Sequence, residues 1–278
     1  MLTQFIVLEK ILLNIKKVKF MYSGYDNFHT YFESNIKLND VPNIFIHGVG
    51  LNNTMWKPQK KYFKNESTIY YDLLNHGKSK KGFKEIKFEN FNNQLIQLID
   101  FLNIEKFNLI GFSLGSLVAQ HFSIKHYSKI NKLIIISSVY DRSKEQQLKV
   151  KNRYNLSISG KSISDDSIKR WFNPDYLKSY KSTYKFFYNI LENNKLKNFL
   201  PAYKLFVESE KYKINFSKFN RPTLIITGED DIGSTPEMAS KLSKKIYGSK
   251  ICIIKKARHM VTYEKDNLVN KQIKNFIN

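Results

Sequence analysis

Six short, nearly continuous apolar runs punctuate the chain, at residues 43–48, 67–72, 107–111, 131–138, 222–228 and 249–255. Such runs, without polar alternation, are characteristic of strands buried on both faces. Between most of them, apolar residues return at the spacing of one helical face, over residues 91–103, 114–126, 236–246 and 266–277. Strands alternating with helices predict an α/β fold, a mostly parallel central sheet flanked by helices. An additional antiparallel edge strand is expected around residues 29–33, and no internal repeat is visible.

The alternation lapses across residues 139–219, where the helical patterns are 165–172, 184–191 and 196–209. A stretch of that length is rarely structureless inside a domain, so it predicts a helical cap inserted between two strands. Its ends fall just after one strand and just before another, where a lid would cover the strand C-termini at which ligands bind in open α/β sheets. The expected organisation is one α/β domain with a core of residues 21–138 and 220–278, the cap at 139–219, and an extension at 1–20. In that extension Phe5, Leu8, Leu12 and Ile15 fall at helical spacing, predicting an amphipathic helix. Translation from Met21 is the alternative. No small-residue cleavage site follows the extension, so no signal peptide is expected. No apolar run approaches the roughly 20 residues of a membrane helix, so no membrane span is expected either.

One junction between strand and helix reads "LIGFSLGSLVAQ", residues 109–120. Gly111 and Gly115 flank Ser113 at alternating positions, where a strand turning straight into a helix needs crowded or positive-φ backbone. That is the physical content of a nucleophile elbow, which holds a serine hydroxyl outward on a strained turn. The plainer reading is a glycine-softened turn with an ordinary serine, and the rest of the chain decides between them.

A serine becomes nucleophilic beside a base, and the base needs an orienting acid, in the chain order serine, acid, histidine. Downstream of Ser113, Asp230 and Asp231 follow the run ending at Thr227, and His259 follows the run ending near Lys255. The other five histidines (29, 47, 76, 121 and 126) precede the acid or lie in the helix after Ser113. The oxyanion of an acyl transfer needs backbone N–H donors. Leu114 would supply one, directly after the serine, and Val49 in "HGVG" the other. His47 is expected to be a structural loop residue, and Asp72 and His76 to tie down a neighbouring loop.

The formal charge of +22 invites a nucleic-acid reading, but 41 of the 46 basic residues are lysine, only 5 are arginine, and 28 asparagines accompany them. The lysines are spread along the chain. An AT-rich coding bias accounts for that better than a phosphate-binding face, so no nucleic-acid partner is expected. Cys252, the one cysteine, sits in an apolar run and is expected to be buried. It excludes an intramolecular disulfide and fits a reducing, cytoplasmic compartment.

Taken in order, His47-Gly48, the 72–79 loop, Gly111 to Gly115, the 228–236 segment and His259 resemble the α/β-hydrolase fold superfamily over nearly the whole chain. In that superfamily the acid usually stands three residues after the glycine, which picks Asp231 over Asp230. Finer features ("HGVGLNNTMWKPQ", "RWFNPDY", "TGEDDIGSTPEMA", "ARHMVTYE") resemble the 3-oxoadipate enol-lactonase branch. Asn75 departs from it, standing where relatives usually carry glycine, and should alter a loop without touching the triad. The resemblance implies a serine hydrolase of small-molecule esters or lactones with a catalytic triad of Ser113, Asp231 and His259. An oxyanion hole at Val49 and Leu114 would complete it, with no metal or organic cofactor. A C–C bond hydrolase of the same fold and a non-catalytic ligand receptor remain as alternatives. The branch's substrate brings a free carboxylate, which points to Arg170 or its neighbour Trp171 as pocket residues. The alternative is a surface Arg170 beside a tryptophan that packs the cap onto the main domain. Oligomeric state is not legible in the sequence.

Overall fold

A computed structural model describes residues 20–278, so the helix expected around Phe5 to Ile15 lies outside the described residues. The strands are β1 (Phe20–Tyr25), β2 (Tyr31–Ile36), β3 (Asn43–Ile46), β4 (Thr68–Tyr71), β5 (Phe107–Phe112), β6 (Ile130–Ile136), β7 (Thr223–Gly228) and β8 (Lys250–Ile254). They form one sheet in the order β1-β2-β4-β3-β5-β6-β7-β8. β2 runs antiparallel to both β1 and β4, and every other pairing is parallel. This is the α/β-hydrolase fold, and all six apolar runs became strands of it. The strand expected near residue 29 is β2, which is not at the edge, because β1 pairs outside it. β1 escaped the hydrophobic pattern because Ser23 and Gly24 interrupt it and Tyr22 and Tyr25 stand exposed.

The helices are α1 (Lys57–Tyr62), α2 (Phe88–Phe101), α3 (Leu114–Lys125), α4 (Lys144–Ile158), α5 (Ser164–Trp171), α6 (Pro174–Ser179), α7 (Lys181–Asn193), α8 (Leu196–Val207), α9 (Pro236–Ser243), α10 (Val261–Glu264) and α11 (Asp266–Ile277). Successive strand residues point to opposite faces, so the central strands split cleanly between two cores. Ile44, Leu109, Ile135 and Ile225 pack with Leu98 of α2, Val118 of α3 and Leu242 of α9. Phe45, Ile110, Ile134 and Ile226 pack with Trp56, Phe63 and Ile273 of α11 on the other face. Burial on both faces explains why these strands read as unbroken apolar runs. β8 is the exception. At the far edge its residues are largely exposed, so Cys252 is half-buried and not fully buried as expected.

Five helices, α4 to α8, fill the interval between β6 and β7. The hydrophobic pattern located α5, α7 and α8 but not α4, whose buried residues are only Val150 and Ser157. Its signal lay at the N-terminus, in Ser143 and Gln146. The Ser143 hydroxyl accepts from the Gln146 backbone amide at 3.2 Å, and the Gln146 side-chain Oε1 accepts from the Ser143 backbone amide at 2.8 Å. That reciprocal capping box satisfies two donors the first turn would leave bare.

Candidate active site

Ser113 sits between β5 and α3 with φ 53° and ψ −117°, a conformation that costs a residue with a Cβ about 1–3 kcal/mol unless its surroundings enforce it. The enforcement is visible. A Cβ on Gly111 would collide with the Gly115 carbonyl, and one on Gly115 with the carbonyls of Ile46 and His47. Both glycines therefore let β5 and α3 approach closely enough to make the turn. The Ser113 amide donates to the Ile136 carbonyl at 2.9 Å, anchoring the elbow to β6.

The loop after β3 closes over the same point. A Cβ on Gly48 would lie 3.1 Å from the Phe112 ring and 3.2 Å from the Ser113 Cβ, so a side chain there would press on both and force a small shift in one of them. His47, fully buried, holds this loop. Its Nδ1 lies 2.8 Å from the Gly48 carbonyl, and its Nε2 accepts from the Leu73 amide at 2.9 Å. That pair of partners suits the neutral ring with its proton on Nδ1. Burial lowers the His47 pKa to about 4, against a smaller raising effect of the Gly48 carbonyl. Among the described residues, neither the Val49 nor the Leu114 amide donates a hydrogen bond. The Leu114 amide opens α3, where the helix dipole adds positive character.

Asp72 and His76 lie in the neighbouring loop, as expected. Asp72 accepts from the Asn53 amide at 2.7 Å, the Asn53 side chain at 2.8 Å and the Lys78 amide at 2.8 Å. His76 packs its ring 5.2 Å from that of His47, and burial foremost lowers its pKa to about 3. Asn75 has φ 64°, which explains a glycine preference there, and its side chain ties to Phe83 at 2.7 Å. None of these three lines the cavity of Ser113.

The acid and the base do. Asp231, after β7, is 3% exposed, and its Oδ2 lies 2.8 Å from the His259 Nδ1. Its other oxygen accepts from the Gly233 and Ser234 amides at 2.8 and 2.9 Å, which fixes the carboxylate plane. Asp230 is exposed, with its amide bound to the Ala257 carbonyl. The one-residue choice between the two acids is thus set by the turn after β7. Among the described residues, no hydrogen bond joins the Ser113 hydroxyl to the imidazole; such contacts commonly tighten only when substrate is bound.

Two residues that sequence reasoning left without a role hold His259 in place. Ser137 donates its hydroxyl to the His259 carbonyl at 2.9 Å. Glu264 accepts from the Arg258 amide at 2.5 Å and from the Asn173 amide. The Met260 amide donates to the Trp171 carbonyl at 3.0 Å. The histidine loop is therefore clamped to α5 and the turn after it. No sequence signal distinguishes Ser137 from other strand-end serines, whereas Glu264 is the last residue of the quoted "ARHMVTYE".

Val49, Ser113, Asp231 and His259 line one cavity of about 340 Å³, which Arg170 and Trp171 also line. The Trp171 ring lies 6.4 Å from that of His259. Among the described residues no cluster of three or more His, Cys, Asp or Glu side chains is arranged to hold a metal, and no helix is long and apolar enough to cross a membrane.

A family model described as the alpha/beta hydrolase fold matches residues 44–266. Among curated proteins, (E)-2-((N-methylformamido)methylene)succinate hydrolase of Acinetobacter baylyi is 28% identical over 232 residues, covering 83% of this chain and 88% of that protein. Pimeloyl-[acyl-carrier protein] methyl ester esterase of Wigglesworthia glossinidia brevipalpis is 30% identical over 254 residues, covering 84% and 92%. The crystal structure of an enol-lactonase from Burkholderia xenovorans LB400 superposes with a TM-score of 0.79 at 18% identity, over 92% of this chain and 99% of that one.

Proposed function

Because the chain belongs to the α/β-hydrolase fold family, we propose that it is a serine hydrolase cleaving a carboxylic ester or lactone through an acyl-enzyme. Ser113 is the nucleophile, His259 the base and Asp231 the group that orients it. The Ser113 Oγ adds to the carbonyl carbon while its proton passes to the His259 Nε2. Asp231, held by two backbone amides, keeps the imidazole proton on Nδ1 and stabilises the imidazolium that forms. The Val49 and Leu114 amides receive the developing oxyanion. His259 then returns its proton to the leaving oxygen, and water repeats the sequence against the acyl-serine. Residues 139–219 serve as the cap that shields these steps from bulk water.

The observation that carries this reading is the conjunction of a serine at φ 53° with the 2.8 Å Asp231–His259 contact on one cavity. A strained backbone serine and an oriented, buried histidine have little structural reason to coincide. The test is labelling by a fluorophosphonate together with hydrolysis of p-nitrophenyl acetate, for the protein and for Ser113→Ala. Labelling should vanish in the variant, and turnover should fall by on the order of 10⁴–10⁶ with the fold unchanged. A variant that keeps near-normal kcat would refute the covalent mechanism. A panel of lactones, esters and vinylogous diketones then separates ester from C–C cleavage.

A further inference from the structure

The Val49 amide can receive an oxyanion only if the peptide that carries it is held at one angle. In a trans peptide the N–H points away from the C=O, so whatever holds the Gly48 carbonyl aims the Val49 N–H. That carbonyl is held by the His47 Nδ1 at 2.8 Å and by the Leu51 amide at 3.2 Å. On the other side of Val49 stands Gly50, with φ 74°. Glycine enters that region at little cost and leaves it as easily. Something outside the loop has to keep it there.

The hold comes from the cap. Asn194, at the corner between α7 and α8, is 3% exposed. Its Nδ2 donates to the Gly50 carbonyl at 2.6 Å and to the Leu51 carbonyl at 2.9 Å, and its Oδ1 accepts from the Gly77 amide at 2.8 Å. One buried amide therefore uses both its donors and its acceptor on backbone of the core, and two of the three bonds fall on the loop of Val49. Leu191 of α7 and Phe199 of α8 close over the same place. A Cβ on Gly50 would lie 2.9 Å from the first and 3.3 Å from the second. Lys195, directly after Asn194, stands at φ 49° without being glycine, a conformation that persists only where the surroundings enforce it. The corner is bent to seat this one side chain.

We propose that Asn194 is a positioning residue for the oxyanion hole: through its amide the cap holds residues 48–51 so that the Val49 N–H faces the carbonyl attacked by Ser113. The inference rests on the hydrolase reading above and makes the hole a joint product of core and cap. His47 fixes the peptide before Val49, Asn194 fixes the one after Gly50, and Val49 lies between the two anchors. Without Asn194 the loop keeps its inner anchor and the Val49 amide loses its fixed aim. Oxyanion donors act by being in place before charge develops, and a misplacement of about 1 Å can cost on the order of 10²-fold in rate. The expected signature is specific. Acylation and deacylation both raise an oxyanion, so both slow together, and kcat falls while KM stays.

The test compares Asn194→Ala, Asn194→Gln and Ile190→Ala with the parent on p-nitrophenyl acetate, well below the Tm of each. Ile190 is buried on the same helix and does not line the cavity, so its truncation loosens α7 without touching the Asn194 amide. Asn194→Ala should lower kcat by on the order of 10- to 100-fold, with KM within about threefold of the parent. Affinity for trifluoroacetophenone, which adds to a serine as a tetrahedral oxyanion, should fall by the same factor. Asn194→Gln carries the same amide on an arm one methylene longer and should recover part of kcat. Ile190→Ala should lower Tm and leave kcat within about twofold. If Asn194→Ala gives no folded protein, Asn194→Asp takes its place, because it keeps the acceptor for Gly77 and lacks the two amide donors. An unchanged kcat, a loss confined to KM, or equal kcat losses in the Asn194 and Ile190 variants would overturn the assignment. Failure of fluorophosphonate to label Ser113 in the parent would overturn the hydrolase reading itself, and this role with it.

Discussion

Acid should destabilise this protein in part through His47, one of several buried histidines whose pKa is lowered. The ring is fully buried, with Nε2 accepting from the Leu73 amide, and its pKa falls from 6.5 to about 4. The unfolded chain, with an ordinary imidazole, therefore takes up a proton at higher pH than the folded one does. Stability is full above the unfolded pKa, falls as pH drops below it, and stops falling once pH passes the folded value. Between about pH 8 and about pH 5 the linkage integral for this one group is roughly 2 kcal/mol, a sizeable share of a typical domain's 5–15. His76, lowered to about 3, acts in the same direction. The buried carboxyl groups of Asp26, Asp72 and Glu264 act oppositely, because burial raises their pKa and the folded state takes their protons first. The assay therefore has to isolate His47. Urea unfolding of the protein and of His47→Gln across this range should show the variant's pH dependence shallower by about one proton, near 1.4 kcal/mol per pH unit at its steepest. Titration of the His47 ring by NMR in the unaltered protein gives the same answer without a variant. A ring that titrates near 6.5, or identical slopes in the two proteins, would refute the argument.

Two further substitutions probe the site from other directions. Asp231→Asn should lower kcat by on the order of 10⁴, by favouring the wrong His259 tautomer, while Asp230→Asn, at an exposed position, should change it by less than about twofold; steady-state kinetics on p-nitrophenyl acetate decides, and equal mild losses would remove both from the mechanism. Gly115→Ala should yield little folded protein, because its Cβ meets the backbone carbonyls of Ile46 and His47 and backbone cannot rotate away; thermal unfolding within a few degrees of the parent, about the shift of a 1 kcal/mol change, would count against this.

The central strands were legible because burial on two faces erases alternation, leaving runs such as "NKLIIISS" that little else produces. Ser113, Asp231 and His259 were legible as types in an order. What the sequence left hidden has physical causes. β1 carries its exposed tyrosines on an edge, so it lacks the apolar density of a core strand. α4 buries almost nothing, and only its capping box marks it. Ser137 reaches the His259 carbonyl across 122 residues, and Glu264 ties the neighbouring Arg258 amide to that of Asn173, 91 residues away from the carboxylate; contacts of that span leave no local pattern.

The clamp on the histidine loop bears on how the cavity can be entered. Met260 bonds the last residue of α5, and one carboxylate, that of Glu264, spans the amides of Arg258 and Asn173. The Arg258 guanidinium also reaches the Lys169 carbonyl at 3.1 Å. Any hinge that lifted α5 as a rigid door would break these bonds and drag His259 off Asp231. Traffic through this part of the roof is thus mechanically coupled to the Asp231–His259 contact on which the proposed proton relay depends. Entry that preserves the relay has to pass elsewhere, on the side of α4, where the roof is fastened without touching the histidine. The same coupling makes α5 and residues 258–264 a single unit of inheritance: an insertion exchanged from a relative would have to bring its own fastening for the histidine or lose it.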